Sequence, residues 1–259
     1  MPLKKSEAFV LDTRKMGEAD RVVTFFTEDE GKLRGVAKSA AKSRRRFGGK
    51  LERLSRVRVT YFEKETTDLA RIDGLDLLEE SFTLHQDLRV AAMLAYVAEV
   101  TDTFAHEHES DRRFFRLLKS LISAVRSLPA GGGTAGLLRY FEIWTLKLHG
   151  LMPDLDQCGL CGRALSRSGA WMTPSEGMFQ ATCRSCRPQA RGGLVLSAAA
   201  LAVLERFWKH APTDLANVAF SPAALAEIES FAAVALTEFV GRPFRSARFL
   251  KELSLETAP

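Results

Sequence analysis

The segment Cys158-Gly-Leu-Cys161, followed by 21 residues and then Cys183-Arg-Ser-Cys186, contains all four cysteines of the chain. A CxxC pair places two thiolates on one tight turn, and a second such turn completes a tetrahedral ligand set. The spacing therefore predicts a structural four-cysteine zinc site. Four thiolates leave no open position for water, which argues against a catalytic metal. Two disulfides or four buried thiols are the alternatives, but nothing in the sequence is typical of a secreted protein. Trp171 and Phe179, between the two pairs, suit a short hairpin.

The composition is that of an ordinary globular protein, with 46% hydrophobic and 27% charged residues among 259. The N-terminus has two lysines but no apolar run behind them, so no signal peptide is predicted. No stretch approaches about 18 uncharged apolar residues, which predicts no membrane span. We therefore expect a cytoplasmic protein, associated with the nucleoid if it binds DNA.

Positive charge is concentrated in one part of the sequence. Between Lys32 and Arg58 there are eleven lysines and arginines but only one acid, Glu52. This part carries +10 in a chain of net charge +5, so the remainder is net negative at −5. Such an asymmetry predicts a surface that binds polyanions.

The first 80 residues show the pattern of short β-strands, with apolar or alternating runs separated by turn-prone residues. Five such runs in about 75 residues are typical of a small closed barrel of the OB type, whose outer face commonly binds single strands. Strand periodicity places Val57, Val59 and Tyr61 on the core face and the cations on the outer face. The predicted DNA contacts are Lys32, Arg34, Lys38, Lys42, Arg44, Arg45, Arg46, Lys50, Arg56 and Arg58.

Residues 40–49, Ala-Ala-Lys-Ser-Arg-Arg-Arg-Phe-Gly-Gly, are too polar and glycine-rich for a core element. We interpret them as a mobile basic loop that wraps a phosphate backbone. The alternatives are a solvated run of charge or a charged edge that prevents aggregation. Phe47 either stacks on a base or packs locally, and a single phenylalanine in a loop more often packs locally.

The remainder of the chain is predicted to be helical, interrupted by the cysteine segment. Apolar residues recur at helical spacing in 84–104, 111–128 and 137–148, and again after the capping residues Ser197 and Ser221. Arg242, Arg245, Arg248 and Lys251 follow at three-residue spacing, either as favourable charges near a helix end or as a secondary DNA contact.

These patterns predict an α+β multi-domain fold. An N-terminal OB-type β-barrel covers residues 1–80, and an α-helical domain follows in two parts, 81–157 and 191–259. The four-cysteine zinc-binding insertion, 158–190, lies between those two parts.

The sequence gives no sign of catalytic chemistry. None of the five histidines has a paired acid or nucleophile at a suggestive spacing, and no Gly-rich phosphate loop, HExxH or GxSxG occurs. A zinc-dependent nucleobase deaminase would need a His-x-Glu element near the cysteines, which is absent. We therefore expect a protein that is not an enzyme.

The order of these features resembles the RecO family of bacterial DNA repair proteins across essentially the whole chain. The resemblance is carried by Gly17–Thr27, Gly31-Lys-Leu, Val36-Ala-Lys38, Arg139–Gly150 with the Pro153, Leu155 and Cys158 that follow, and Arg245–Leu250. It implies an OB domain, a helical domain and a zinc-binding insertion at Cys158, Cys161, Cys183 and Cys186, with zinc serving architecture. It also implies binding of single- and double-stranded DNA and strand annealing. The implied partners are RecR and single-strand-binding protein, with which the family loads recombinase onto coated DNA.

Two hypotheses follow for the basic part of the sequence. In the first, a cationic surface lowers the repulsion between two complementary strands while their bases search for register, as an annealing and loading factor requires. In the second, the chain is an adaptor whose barrel face docks an acidic protein partner and binds DNA only weakly. Binding of a plain oligonucleotide without partners, measured against salt, discriminates between them.

Overall fold

The computed structural model describes residues 3–64, 67–129, 133–165, 169–175, 178–187 and 193–255. They divide into two units, which are described separately. Unit 1 comprises residues 1–116 with 244–259, and unit 2 comprises residues 117–243.

Five strands of unit 1 form a closed barrel in the order β1-β2-β3-β5-β4. Their bounds are β1 Leu3–Met16, β2 Asp20–Thr27, β3 Gly31–Ala37, β4 Arg56–Lys64 and β5 Thr67–Glu79. All pairs are antiparallel except β3 with β5, which are parallel over three residue pairs. The predicted OB-type barrel and its five strands are confirmed, although the strands extend beyond the apolar runs that predicted them.

The helices are α1 Arg44–Phe47, α2 Leu88–Phe104, α3 Arg112–Arg126, α4 Thr134–Leu148, α5 Ala198–Lys209, α6 Pro212–Leu215, α7 Pro222–Val240 and α8 Arg245–Leu255. A short 3-10 helix, Phe82–Gln86, precedes α2. The predicted caps are confirmed, because Ser197 accepts a hydrogen bond from the backbone of α5 and Ser221 from that of α7. Asp87, which caps α2, was not recognised in the sequence. No helix in the described part of the chain is long and apolar enough to cross a bilayer.

The barrel interior follows the alternation expected from the sequence. Val57, Val59 and Tyr61 of β4 are buried, and Arg58 between them is exposed. Phe47 of α1 is also buried in this core, where it packs with the side chains of the strands. Because Phe47 lies inside the barrel, it cannot stack on a base, and local packing is the correct alternative.

Part of the outer barrel surface is covered by a helix rather than left open. Phe9 of β1 and Phe26 of β2 are register partners, and both are fully buried. The ring of Phe115 in α3 lies 5.2 Å from that of Phe9, and the ring of Phe114 lies 5.5 Å from that of Phe26. The open barrel surface is therefore smaller than the sequence pattern suggested.

Helix α8 returns to unit 1 and begins at a carboxylate of α2. Glu99 accepts hydrogen bonds from the backbone N–H of Arg245, at 3.0 Å, and of Ser246, at 2.8 Å. An acid at this position satisfies N–H groups that a helix start leaves open and favours its positive dipole end. Arg242 precedes the helix, and Arg248 pairs with Glu252 at 2.9 Å, so these cations do not form one continuous free stripe.

Unit 2 combines helices with a three-stranded sheet in the order β7-β6-β8. The strands are β6 Ala170–Ser175, β7 Met178–Thr182 and β8 Leu194–Leu196. The hairpin predicted between the cysteine pairs is confirmed as β6 and β7, whereas β8 was not predicted. Phe179 of β7 packs edge-on against Phe231 of α7, with ring centroids 5.4 Å apart. This contact joins the cysteine segment to the helical part of unit 2.

Candidate metal centre and nucleic-acid interface

The four cysteine sulfurs converge on one point. The Sγ atoms of Cys158, Cys161, Cys183 and Cys186 all lie within 4.8 Å of one another, and those of Cys161 and Cys183 are 3.7 Å apart. A zinc ion with four sulfurs at about 2.3 Å requires sulfurs about 3.8 Å apart. The cluster is therefore compatible with a tetrahedral zinc ion.

Backbone hydrogen bonds close both CxxC turns around these sulfurs. Gly162 N–H donates to the carbonyl oxygen of Cys158 at 2.8 Å, and Cys186 N–H donates to that of Cys183 at 3.0 Å. The N–H of Cys183 also donates to the Sγ atom of Cys158 at 3.3 Å. Donors aimed at sulfur stabilise thiolates, which are the form that binds metal.

The thiol pKa values reflect this environment. Burial acts to raise the pKa of Cys158, but backbone N–H donors, the first from Cys183, outweigh it and lower the pKa to about 6. The N–H of Cys186 likewise lowers the pKa of Cys183. A hydrogen bond shared with Cys161, together with burial, raises the pKa of Cys186 to about 12. The raised pKa of Cys186 keeps a proton on that sulfur in the metal-free cluster, and a dication would displace it.

A second group of possible ligands is not a comparable centre. Glu30, Glu63 and His108 bring ligand atoms together in unit 1. The Lys4 ammonium lies between the two carboxylates, 2.8 Å from Glu30 and 2.7 Å from Glu63. Its hydrogen bonds to Glu30 and then to Glu63 raise the pKa of Lys4, so a permanent positive charge already occupies this position.

Residues 38–50, which we call the basic segment, are structured rather than a loose loop. They form turns and the helix α1, which is held to the barrel by the buried Phe47. The predicted loop consists instead of turns and a helix, because one apolar side chain in the run of arginines anchors it. The predicted cations of this segment are therefore presented from an anchored backbone.

The predicted cations of the basic segment differ in what they contact. Lys38, Lys42, Arg44 and Arg45 are exposed, and none of their side chains has a hydrogen bond or ion pair within the described residues. Arg46 instead donates to Ser43 Oγ at 3.2 Å and to the Lys38 carbonyl at 3.1 Å, and it lies over the Phe47 ring. The four cations with solvated side chains are the ones best placed to meet phosphates.

Three other cations predicted to contact DNA instead bind groups within the protein. Lys32 donates to the carbonyl oxygen of Asp102 at 2.7 Å. Arg56 bridges Glu7 at 2.7 Å and Glu79 at 3.1 Å, with only 20% of its side chain exposed. Lys50 donates to the carbonyls of Leu75 at 2.6 Å and Arg45 at 3.0 Å. These side chains already have partners, which makes them poor candidates for phosphate contacts.

The remaining predicted cations, Arg34 and Arg58, are both exposed on the barrel but in different surroundings. Arg58 is flanked in register by two acids, Glu7 on β1 and Asp76 on β5. Arg34 lies on β3, which neighbours β5 rather than β4. The sequence pattern could not show this separation, because it gives the face of each cation but not the order of the strands.

Sequence reasoning missed Arg71 of β5, an exposed cation. It is the register partner of Val36 on β3, two residues from Arg34, so the two arginines are diagonal neighbours. The alternation Leu69-Ala-Arg-Ile72 was the available signal, but the parallel pairing of β3 with β5 was needed to bring Arg71 beside Arg34.

Exchanging Lys50 for methionine tests this division of the cations. The buried Leu75 carbonyl would lose its donor, so Lys50→Met should lower the free energy of unfolding by about 1–3 kcal/mol. Oligonucleotide affinity should change little. Lys42→Met is the matched control, with stability within about 0.5 kcal/mol of wild type and weaker DNA binding. Denaturant titration and fluorescence anisotropy measure the two quantities. If Lys50→Met weakened binding at unchanged stability, Lys50 would belong to the interface.

Comparison with known proteins agrees with this architecture. A family model described as "Recombination protein O N terminal" matches residues 1–80, and "Recombination protein O C terminal" matches residues 85–248. The barrel and the four-cysteine helical part thus define a protein of DNA recombination.

The similar individual proteins are named DNA repair protein RecO. A DNA repair protein RecO of Anaeromyxobacter dehalogenans is 32% identical over 253 residues, 98% of each chain. One of Geobacter metallireducens is 33% identical over 98% of this chain and 99% of its own. One of Koribacter versatilis is 44% identical over 163 residues, and this alignment spans 63% of this chain and 65% of the relative. The chain belongs to the RecO family of DNA repair proteins.

Proposed function

We propose that this protein is a non-enzymatic mediator that binds single- and double-stranded DNA and anneals complementary strands. With RecR and single-strand-binding protein, it helps to load recombinase onto coated single strands in the cytoplasm. Membership of the RecO family supports a role in DNA repair and recombination. The partners and the loading step follow from the likeness to that family.

One observation carries the DNA-binding part of the proposal. One short anchored segment presents four exposed cations, Lys38, Lys42, Arg44 and Arg45. None of their side chains forms an ion pair or hydrogen bond within the described residues. Four cations so close together have no folding role that explains them, and like charges in proximity destabilise a fold. A phosphate backbone would neutralise all four and release its counterions.

The same surface accounts for annealing by electrostatics alone. Two complementary strands repel each other through their phosphates, and a cationic surface that neutralises part of that charge brings them together. Backbone contacts leave the base edges open for pairing. The barrel aromatics Phe25, Phe47 and Tyr61 are buried, so they do not hold bases away from a complementary strand.

We also propose that the four cysteines bind one structural zinc ion. The sulfur geometry fits zinc, and the four thiolates would fill its coordination sphere. When bound, the ion supplies a crosslink between the two CxxC turns. The hairpin between the turns is in turn attached to α7, because Phe179 packs against Phe231.

An annealing assay tests the proposed activity directly. Two complementary oligonucleotides with donor and acceptor dyes should pair faster when the protein is present, without any nucleotide cofactor. Adding ATP should leave the rate unchanged. A requirement for ATP, or hydrolysis by homogeneous protein, would contradict the proposal. Failure to bind a plain oligonucleotide would instead favour the adaptor with an acidic protein partner.

A further inference from the structure

The four cysteines differ sharply in their access to solvent. Cys158, Cys183 and Cys186 are buried, with 2%, 3% and 8% of their surface exposed, whereas Cys161 is exposed. Its neighbour Leu160 is also half exposed. The tip of the first CxxC turn therefore reaches solvent, while the other three sulfurs are shielded.

We propose that Cys161 is an oxidation site, at which a peroxide releases the metal by joining Cys161 to Cys183. This inference rests on the zinc occupancy proposed above. The inference goes further than that proposal, because the zinc centre would respond to small oxidants as well as crosslink the two CxxC turns. Oxidation of cysteine requires thiolate character and access, and Cys161 alone of the four combines metal-ligand chemistry with exposure.

The distance between these two sulfurs is short enough for them to pair. Cys161 Sγ and Cys183 Sγ are 3.7 Å apart, so an approach of less than about 2 Å brings them to disulfide bonding distance. The residue that follows Cys161 is not crowded. Gly162 has a positive φ of 68°, and the space where a Cβ atom would stand there is open.

Backbone hydrogen bonds hold the second turn, as the bond from Gly162 N–H to the Cys158 carbonyl holds the first. Arg187 N–H and Cys186 N–H both donate to the carbonyl oxygen of Cys183, at 3.1 and 3.0 Å. The Arg163 guanidinium also donates to Ser185 Oγ at 3.1 Å. Cys183 thus stays in position to resolve an oxidised Cys161.

The chemistry balances in two steps with hydrogen peroxide as the oxidant. The Cys161 thiolate attacks one peroxide oxygen, the O–O bond breaks, and a sulfenic acid forms while hydroxide leaves. The Cys183 thiolate then attacks the Cys161 sulfur, a disulfide forms, and the sulfenic oxygen leaves as a second hydroxide. Two protons from solvent convert both hydroxides to water. The two sulfurs are oxidised by two electrons and the peroxide is reduced by two.

Loss of two thiolate ligands leaves only two for the metal, so zinc should be released. The hairpin between the turns would then lose its crosslink, and the Phe179–Phe231 contact would weaken. The basic segment belongs to unit 1 and contains no cysteine. Oxidation should therefore loosen unit 2 before it changes the affinity for DNA.

The test uses the full chain as purified. Zinc content is first measured by elemental analysis, because absence of zinc would refute the occupancy proposed above. The zinc protein is then treated with hydrogen peroxide, and release is followed with a chromogenic chelator. Peptide mapping should find a Cys161–Cys183 disulfide, and dimedone should label Cys161 before any other cysteine. Thiol reductant with added zinc should restore the metal.

Cys161→His supplies the matched variant, since three cysteines and one histidine also form a structural zinc set. It should retain zinc, and peroxide should release that zinc at roughly a tenth of the wild-type rate or below, because the exposed thiolate is gone. Equal release from Cys161→His, or first labelling of a buried cysteine in the wild-type protein, would overturn the proposal. If Cys161→His does not hold zinc, the order of dimedone labelling in the wild-type protein decides alone.

Discussion

Reversing Arg44 and Arg45 to glutamate should lower the affinity for a single-stranded oligonucleotide on the order of a hundredfold at moderate salt, because two charge-assisted phosphate contacts become repulsive. The fold should survive. Both side chains are exposed and have no partner among the described residues, and Phe47, which anchors the helix, is untouched. Arg46 is spared because it contacts Ser43 and the Lys38 carbonyl.

The salt dependence gives the sharper readout. If the four solvated cations each neutralise one phosphate, log K against log salt should fall with a slope of roughly −3 for single strands. The double reversal should flatten it to about half that value. Fluorescence anisotropy of a labelled oligonucleotide at several salt concentrations measures both affinity and slope.

A control with the same change in net charge separates local from general electrostatics. Arg113 and Arg116 of α3 are exposed and lie outside the basic segment. Their reversal to glutamate should have a much smaller effect on both quantities. Unchanged binding after the Arg44 and Arg45 reversal would move the DNA site elsewhere on the chain and favour an acidic protein as the partner of the basic segment.

Changing Cys158 to serine should abolish zinc binding and lower the melting temperature of unit 2 by about 10 °C or more. Cys158 is the most buried of the four thiols and accepts an N–H from the opposite CxxC turn. Structural zinc contributes on the order of 10–16 kcal/mol of apparent binding free energy in isolated finger peptides, so loss of one ligand is costly. Elemental analysis and thermal unfolding measure the two effects.

Ser185→Ala is a suitable control for that change, because Ser185 lies inside the second CxxC turn but is not a ligand. It should retain one zinc ion per chain and most of the stability. The Cys158→Ser protein should keep the salt slope of DNA binding, since the basic segment is in unit 1. A collapse of DNA affinity with unit 1 still folded would show that zinc serves the interface as well as the architecture.

The sequence was most informative where one residue type decides the local structure. The CxxC spacing predicted the converging sulfurs, and strand alternation around Val57 and Val59 predicted the barrel interior. Ser197 and Ser221 predicted the starts of α5 and α7. Each of these signals acts over a few neighbouring residues, so no knowledge of the fold is needed to recognise it.

The sequence was least informative about which cations are available. Lys32, Lys50 and Arg56 carry the same charge as Arg44, and only the folded chain brings Asp102, Leu75 and Glu79 to them. These partners lie 70, 25 and 23 residues away along the chain. Phe47 was ambiguous for the same reason, because its burial depends on strands from both sides of the basic segment.

The Glu99 cap on α8 has a consequence for synthesis on the ribosome. Unit 1 is discontinuous, since its last helix follows all of unit 2 in the chain. Domains generally fold as they emerge, N-terminal parts first. The barrel and α2 are therefore made long before Phe244 and Ser246, which pack against Tyr96 and bond to Glu99. Unit 1 is begun first and completed last, so a chain released before residue 244 would have the barrel sequence but not the helix that finishes its unit.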